Sequence, residues 1–150
     1  MKYKVAIVFV VGLVLVACGG NTKSTSVAKM SDILKEQTGQ SGRTCMRRSD
    51  IQGYGFHENV VAIDGRRKYY LATTVQRCHG METSMAVVFD GPQGEFCGGG
   101  ASKITNRDRS CTVSNLFEFD SREMAMEALG KAKDSAAKRL EAAASENEAP

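Results

Sequence analysis

The stretch Asn59–Val75, NVVAIDGRRKYYLATTV, decides the fold of this chain. Its first part, NVVAI, is a short apolar run rich in β-branched residues, and Asp64-Gly65 follows as a pair typical of two-residue hairpin turns. Beyond the turn apolar and polar residues alternate, and the residues that share one face are Tyr69, Leu71, Thr73 and Val75. The stretch therefore predicts a β-hairpin, around which we expect an antiparallel domain.

Further strand signals lie on both sides of this hairpin. We expect a first strand within Arg43–Ile51 and a central strand at Ser84–Phe89, because SMAVVF is apolar on both faces. A short strand is expected at Ser102–Thr105, and Ser110–Phe119 alternates over its whole length. Its residues on one face are Cys111, Val113, Phe117 and Phe119. The sequence thus predicts a mainly β fold, either β-barrel-like or a curved antiparallel sheet.

Two helices are expected to flank the strands. A short N-terminal helix opens at Ser31, which we expect to cap it, and Gly39 is a plausible stop. A C-terminal amphipathic helix is capped by Asp120 or Ser121. Its small apolar residues recur every fourth position, at Met124, Ala128, Ala132, Ala136 and Leu140.

The N-terminus indicates export. A basic start precedes Val5–Val16, an apolar run that is shorter than the ~20 residues of a membrane span and typical of a signal-peptide core. The sequence LVAC at Leu15–Cys18 resembles the bacterial lipobox, which implies cleavage before Cys18 and acylation of that residue. Gly19 follows, and similarity to enterobacterial lipoproteins implies the outer membrane, facing the periplasm. The alternative is an ordinary cleaved signal with a free Cys18.

These signals divide the chain into five parts. We expect a lipoprotein signal peptide at 1–17, a flexible tether at 18–30, a disulfide-stapled β domain at 31–119, the C-terminal helix at 120–144 and a disordered tail at 145–150. The full chain has 20 basic and 17 acidic residues; without Lys2 and Lys4, 18 basic residues remain and the net charge is +1. Such a balance argues against a nucleic-acid partner.

Four cysteines remain once Cys18 is set aside: Cys45, Cys78, Cys97 and Cys111. No two of them form a CxxC pair, which argues against a zinc site, a redox dithiol or haem attachment. In an exported protein we expect two disulfides. Three pairings are possible, and we favour Cys78–Cys97 with Cys45–Cys111.

The chain offers few residues for catalysis. Cys78-His79 joins a thiol and an imidazole in sequence, but neighbours on a strand face opposite ways. The glycine loop Gly98–Ser102 lacks the lysine of a phosphate loop and is expected to serve as a tight turn. We therefore expect no enzyme activity, no cofactor and no metal site.

Two loops are the candidate binding elements. Gly53–Asn59 carries Tyr54, Phe56 and His57, which we take as the tentative binding residues, and Gly91–Ser102 is the second loop. The alternative for the first loop is that one aromatic ring folds back onto the core. The basic run Arg66–Lys68 is expected at the hairpin tip, either touching anionic lipid or forming a solvated turn.

The order of the segments RTCMRRSDI, VVAIDGRRKYYLATTVQRCHGM, VVFDGPQGEFCGGG and SCTVSNLFEF resembles a family of small proteobacterial lipoproteins that carry a domain of unknown function. The resemblance covers Arg43–Phe119 and excludes the helix that follows. It implies no activity. A weaker similarity links the chain to lipoprotein inhibitors of C-type lysozyme, whose loop sequences it lacks.

The functional expectation follows from these points. We expect a membrane-anchored envelope lipoprotein that acts as a non-enzymatic binding or accessory module, held to the membrane through Cys18 and able to bind an envelope protein. The alternative is a periplasmic inhibitor of a hydrolase such as lysozyme or a protease.

Overall fold

The computed structural model describes residues 29–84 and 86–147, with side chains up to residue 145. The expected mainly β fold with a helix at each end is confirmed in this part of the chain. In chain order the helices and strands are α1 (Met30–Thr38), β1 (Cys45–Arg47), β2 (Ile51–His57), β3 (Val60–Gly65), β4 (Tyr69–Thr74), β5 (Val88–Asp90), β6 (Glu95–Cys97), β7 (Lys103–Thr105), β8 (Ser110–Phe119) and α2 (Arg122–Asn147).

Six of the strands form one antiparallel sheet in the order β2-β3-β4-β8-β7-β5, and β1 pairs with β6 in a separate two-stranded ribbon. The sheet curls into a half-barrel. Tyr54 of β2 and Phe89 of β5 belong to its two opposite edges, yet their ring centroids lie 5.3 Å apart. The curl therefore brings the two edge strands face to face without closing the barrel.

Each face of the sheet buries its own core. The inner face, on the side of the Tyr54–Phe89 contact, packs against the β1–β6 ribbon and buries Met46, Val61, Ile63, Tyr70, Ala72, Phe89, Phe96, Ile104, Val113 and Leu116. The outer face packs against both helices and buries Ile33, Leu34, Val60, Ala62, Tyr69, Leu71, Phe117, Phe119, Ala125, Leu129 and Ala132. Because β3 and β4 contribute to both cores, Val60–Ile63 and Tyr69–Ala72 are hydrophobic and buried on both faces.

The hairpin predicted at Asn59–Val75 is confirmed as β3 and β4, but its turn lies further along the chain than expected. Asp64 pairs with Tyr69, and the backbone N–H of Gly65 donates to the carbonyl of Lys68 at 3.0 Å. The two turn residues are thus Arg66 and Arg67, not Asp64 and Gly65.

Strand β8 has the bounds expected from its alternation, but its side chains change face midway. The register with β4 shifts between Thr73, which pairs with Asn115, and Thr74, which pairs with Val113. Ser114 is therefore the extra residue of a β-bulge. As a result Val113 lies in the inner core and Phe117 in the outer core, whereas the sequence placed them on one face.

Two other strand predictions need correction. The central strand expected at Ser84–Phe89 is wrong: only Val88 and Phe89 of this segment belong to β5, which is an edge strand. The first strand expected within Arg43–Ile51 contains the three residues of β1, and a 3₁₀ turn at Arg48–Asp50 then leads into β2. The strand Ser102–Thr105 is confirmed as β7, beginning one residue later.

The helix ends also differ from expectation. Ser31 does not cap α1; it lies buried inside the first turn, and the N-cap residue is Lys29. Gly39 ends α1 in the left-handed conformation, as expected. The hydroxyl of Ser121 caps α2 by accepting from the N–H of Met124 at 3.3 Å. Helix α2 runs to Asn147, so its last turn occupies part of the segment 145–150 that we expected to be disordered.

The stripe predicted on α2 is confirmed in part, because Ala132 is buried and Ala128 and Ala136 pack partly buried against the outer core. Ala125, Leu129 and Ala132 are buried, whereas Met124 and Leu140 are exposed. The residues repeat at i, i+4 and i+7, which is the period of an amphipathic helix on a core.

The two expected disulfides are present, but the favoured pairing is wrong. Cys45 bonds Cys97, and Cys78 bonds Cys111. Cys45 and Cys97 lie directly opposite each other in the β1–β6 ribbon, a pairing that no local pattern predicts. On the chain-entropy model, loops of 52 and 33 residues correspond to stabilisation of about 4 kcal/mol each.

The expected signal peptide, the lipidated Cys18 and the tether up to residue 28 lie outside the described residues. Of the helices that are described, none is both long enough and apolar enough to cross a bilayer.

Candidate functional site: the open edge of strand β2

The tentative binding residues Tyr54, Phe56 and His57 lie in strand β2 and not in a loop, which corrects the prediction. Tyr54 is 40% exposed, and Phe56 packs partly buried against the inner core. The interpretation that one aromatic ring folds back onto the core is thus confirmed for Phe56. His57 is half-buried and pairs with Val60 across the turn that joins β2 to β3.

The hydrogen-bonding direction of β2 follows from the register. Gly65 bonds back to Lys68 across the β3–β4 turn, so the odd-numbered residues of β3 point their backbone groups at β4. The even-numbered residues of β3 then bond β2, where their partners are Gly53, Gly55 and His57. The backbone N–H and C=O groups of Tyr54 and Phe56 therefore point away from β3, toward the open edge.

From Gly53 to His57 this edge carries none of the features that usually protect an edge strand. The segment IQGYGFH holds no Lys, Arg, Asp, Glu or Pro, and the register irregularity in β2 is confined to its first residues, between Ile51 and Gly53. Among the described residues, no hydrogen bond from outside the sheet reaches the backbone of residues 52–57. At the opposite edge, the Arg48 guanidinium donates to the carbonyl of Phe89 at 3.5 Å and to Asp90 at 3.3 Å. Strand β2 is thus the more accessible edge.

An apolar groove runs along the inner side of β2, in the gap that separates it from β5. It has a volume of about 320 Å³, and its walls include Ile51, Tyr54, Val87 and Phe89. Arg48 stands in the same groove and forms an exposed ion pair with Asp90. The groove can accept an apolar side chain beside the rings of Tyr54 and Phe89.

A second, polar trough lies on the outer side of the same strand. It measures about 250 Å³ and exists because Gly53 and Gly55 place no side chain there. Its walls include the side chains of His57, Asp64 and Arg122. A Cβ atom built on Gly55 would meet nothing nearer than His57 Nε2 at 3.8 Å, so the fold itself does not require glycine at this position.

The other sequence candidates do not form a second chemical site. The sulfur atoms of Cys45 and Cys97 and a carboxylate oxygen of Glu95 lie within 4.8 Å of one another. Both sulfurs are bonded in the disulfide, so they cannot ligate a metal as thiolates. Cys78 is likewise disulfide-bonded, so its neighbour His79 has no thiol partner there.

The glycine loop Gly98–Ser102, part of the second candidate binding segment Gly91–Ser102, directs its N–H groups into the protein. Gly98 donates to the carbonyl of Thr44, Gly99 to Ser114 and Gly100 to Val113, at 2.8–3.0 Å. The Gly99 and Gly100 donors hold the loop on the bulged part of β8, and the Gly98 donor holds it on the segment before β1. They are not available to cradle a phosphate group, which supports the interpretation as a tight turn.

The basic hairpin tip is partly neutralised. Lys68 hydrogen-bonds Asp120 and lies 3.7 Å from Glu118, and the bond to Asp120 raises the pKa of Lys68 above its usual value. Arg66 lies 3.9 Å from Asp50. These ion pairs favour a solvated turn over a lipid-binding one.

Sequence reasoning found the aromatic residues of the site but not their partners. Arg48, Phe89, Asp64 and Arg122 are far apart in the sequence and meet β2 only through the curl of the sheet and the packing of α2. The alternation of glycine and aromatic residues in GYGFH is a signal that could have indicated a strand with two unlike faces, but it was interpreted as a loop.

The fold and this site define a small disulfide-bonded half-barrel domain, backed by two helices and open at one sheet edge. The chain belongs to a family of unknown function, DUF6491, whose family model matches residues 1–147. The match includes α2, which the sequence resemblance had left outside. No curated protein and no solved structure matches the chain.

Proposed function

We propose that this protein is a membrane-anchored lipoprotein of the bacterial envelope, and that it acts as a non-enzymatic binding module. It captures an extended segment of another envelope protein as an additional strand on the open edge of β2. This is β-strand addition, in which backbone hydrogen bonds supply affinity and side-chain pockets supply specificity.

The observation that carries the proposal is the unpaired backbone of Tyr54 and Phe56 on an edge without protective residues. Soluble proteins normally blunt such an edge, because it templates pairing with other chains. An edge that pairs regularly from Gly53 to His57, without charged residues or proline and beside the apolar groove and the polar trough, supports selection for a strand partner.

The apolar groove and the polar trough predict which side chains the partner segment carries. Side chains of an added strand alternate between the two faces of the sheet. One set would enter the apolar groove beside Tyr54 and Phe89, and the other would lie over Gly55 between Asp64 and Arg122. The partner segment is therefore expected to alternate apolar residues with polar or charged ones.

A pair of variants at Tyr54 tests the backbone contribution. Tyr54→Ala removes the ring and keeps the outward N–H, whereas Tyr54→Pro removes both; proline is tolerated at an edge position whose N–H faces solvent. A photocrosslinking amino acid at Gln52, which lines the groove, reports capture in intact envelopes. The control position is Leu140, which is exposed on α2.

A discrete adduct is expected from position 52 and not from position 140. It should weaken in Tyr54→Ala and disappear in Tyr54→Pro, with both variants folded. Equal adduct yields in the two variants would rule out strand addition, and equal adducts from positions 52 and 140 would rule out a site on β2.

The anchor is tested separately. The support for it is the lipobox-like LVAC and the apolar run before it. Intact mass of the membrane-extracted protein should show a chain that begins at an acylated Cys18, and Cys18→Ala should release the protein from the membrane fraction. An unmodified Cys18 in the mature protein would refute the anchor and leave the strand-capture test unaffected.

A further inference from the structure

Strand β5, which faces β2 across the apolar groove, also directs backbone groups toward it. In the turn between β7 and β8 the N–H of Asn106 donates to the carbonyl of Arg109 at 2.9 Å, so by the alternation of the ladder Ile104 bonds β8 and not β5. The partner of Ile104 on β5 is Phe89, whose backbone N–H and C=O therefore point away from β7. The Arg48 guanidinium reaches that carbonyl from the groove, which agrees with this direction.

The two facing edges both expose apolar side chains. Tyr54 of β2 is exposed on the inner face, and Val88 of β5 is 62% exposed on the other face, because it alternates with Phe89. In the described part of the chain no backbone hydrogen bond joins β2 to β5, although the ring centroids of Tyr54 and Phe89 lie 5.3 Å apart. The gap between the two strands is thus bordered on both sides by outward backbone groups and by apolar side chains.

Arg48 stands on the β5 side of this gap, held by two weak contacts. Its hydrogen bond to the Phe89 carbonyl is 3.5 Å long, and its ion pair with Asp90, at 3.3 Å, joins two exposed side chains. Exposed ion pairs contribute little to stability, so the guanidinium can turn to another anion at small cost. Of the described residues that line the groove, Arg48 alone carries a charge. The groove therefore complements an apolar segment that carries a carboxylate.

We infer, on the basis of the proposed strand capture, that the captured segment lies in the gap between β2 and β5 and that it carries an acidic side chain for Arg48. The segment bonds Tyr54 and Phe56 on one side, and on the other side it replaces Arg48 at the Phe89 carbonyl. Arg48 then leaves Asp90 and pairs with the carboxylate of the segment. Because alternate side chains of a strand share a face, the acidic residue and the apolar residue beside Tyr54 are an even number of positions apart.

Photocrosslinking from both edges tests the position of the segment. A photocrosslinking amino acid at Val88 is compared with the one at Gln52, and the matched control is Val75, an equally exposed valine beyond the end of β4. In intact envelopes positions 52 and 88 should give adducts with the same peptide of one partner, and position 75 should not. An adduct from position 52 without one from position 88 overturns the inference and leaves capture at β2 intact. No adduct from either position refutes the capture itself.

Breaking the ion pair from each side tests the charge of the partner. Arg48→Gln removes the cation of the groove and should lower the adduct yield from position 52 about fivefold, whereas Asp90→Asn frees Arg48 and should raise the yield, by up to about fivefold. Both residues are exposed, so both variants should keep the Tm of the wild type.

The opposite signs separate a binding role from a structural one. Equal losses in Arg48→Gln and Asp90→Asn would show that the ion pair only supports the fold, and they would overturn the inference. An unchanged yield in Arg48→Gln would overturn it too, as would a crosslinked peptide that holds no Asp or Glu.

Discussion

Replacing Gly98 with alanine should destabilise the domain severely. Gly98 sits where the glycine loop crosses β8 and the segment before β1, and its N–H donates to the carbonyl of Thr44 at 3.0 Å. A Cβ atom at this position would lie 2.6 Å from the backbone nitrogen of Leu116 and would collide with the Gly42 carbonyl oxygen. All the obstructing atoms are backbone atoms, so no side-chain rotation relieves the clash.

The size of the destabilisation follows from the backbone groups that the new methyl group displaces. Accommodating the methyl group separates Leu116 from Gly42, whose backbone hydrogen bond is 2.8 Å long. Losing a buried bond costs about 1–3 kcal/mol, and overpacking adds about 1–3 kcal/mol. A destabilisation of about 3–5 kcal/mol corresponds to a fall in Tm of roughly 10–20 °C for a domain of this size.

Thermal unfolding under non-reducing conditions measures this effect, and Gly130→Ala is the matched control. Gly130 is exposed within α2, and a Cβ atom there meets nothing within 4 Å. This control should gain up to about 1 kcal/mol, because alanine is the better helix former. A Gly98→Ala protein with the Tm of the wild type would refute the packing of the glycine loop on β8.

Three further outcomes are expected. Gly55→Val should raise Tm slightly, because valine favours strands and the position is open, yet it should abolish crosslinking from position 52 by filling the outer trough. Burial, reinforced by the Glu118 carboxylate, raises the pKa of Tyr70, so the folded state holds the phenol proton more strongly than the unfolded state. The unfolding free energy should therefore fall as the pH rises above 10. Urea titrations should show a smaller fall for Tyr70→Phe, which has no phenol group. Non-reducing peptide mapping should yield only the pairs Cys45–Cys97 and Cys78–Cys111, and recovery of a Cys45–Cys111 peptide would contradict the fold.

The parts of the fold that local patterns encode could be predicted. Strand β8 alternates over ten residues, and the hairpin of β3 and β4 joins two strand-like runs by a short turn, so both were recognisable from the sequence. The bulge at Ser114 was not, because it depends on how β8 pairs with β4. Because of this one extra residue, side chains before and after the bulge alternate in opposite phase. Val113 and Phe117 therefore lie on opposite faces of the sheet, not on one face as predicted.

Features that depend on distant pairing could not be predicted. Cys45 bonds Cys97 because β1 pairs with β6 in a ribbon separate from the main sheet. The spacing of the cysteines in the sequence does not indicate this pairing. Glycine in GYGFH suggested a loop, since glycine is unfavourable in strands. In the structure the same glycines leave space for the polar trough of the candidate site. The low strand propensity of glycine is therefore misleading at the place where binding is proposed.

Hydrogen exchange at the amides of Tyr54 and Phe56 tests the central claim most directly. In the purified full-length protein these two amides should exchange fast, while those of Gly53, Gly55 and His57, which bond β3, exchange slowly. In native envelope membranes the Tyr54 and Phe56 amides should become protected as the partner strand pairs with them. Fast exchange in both preparations would contradict capture at β2, and slow exchange in the purified protein would contradict an open edge.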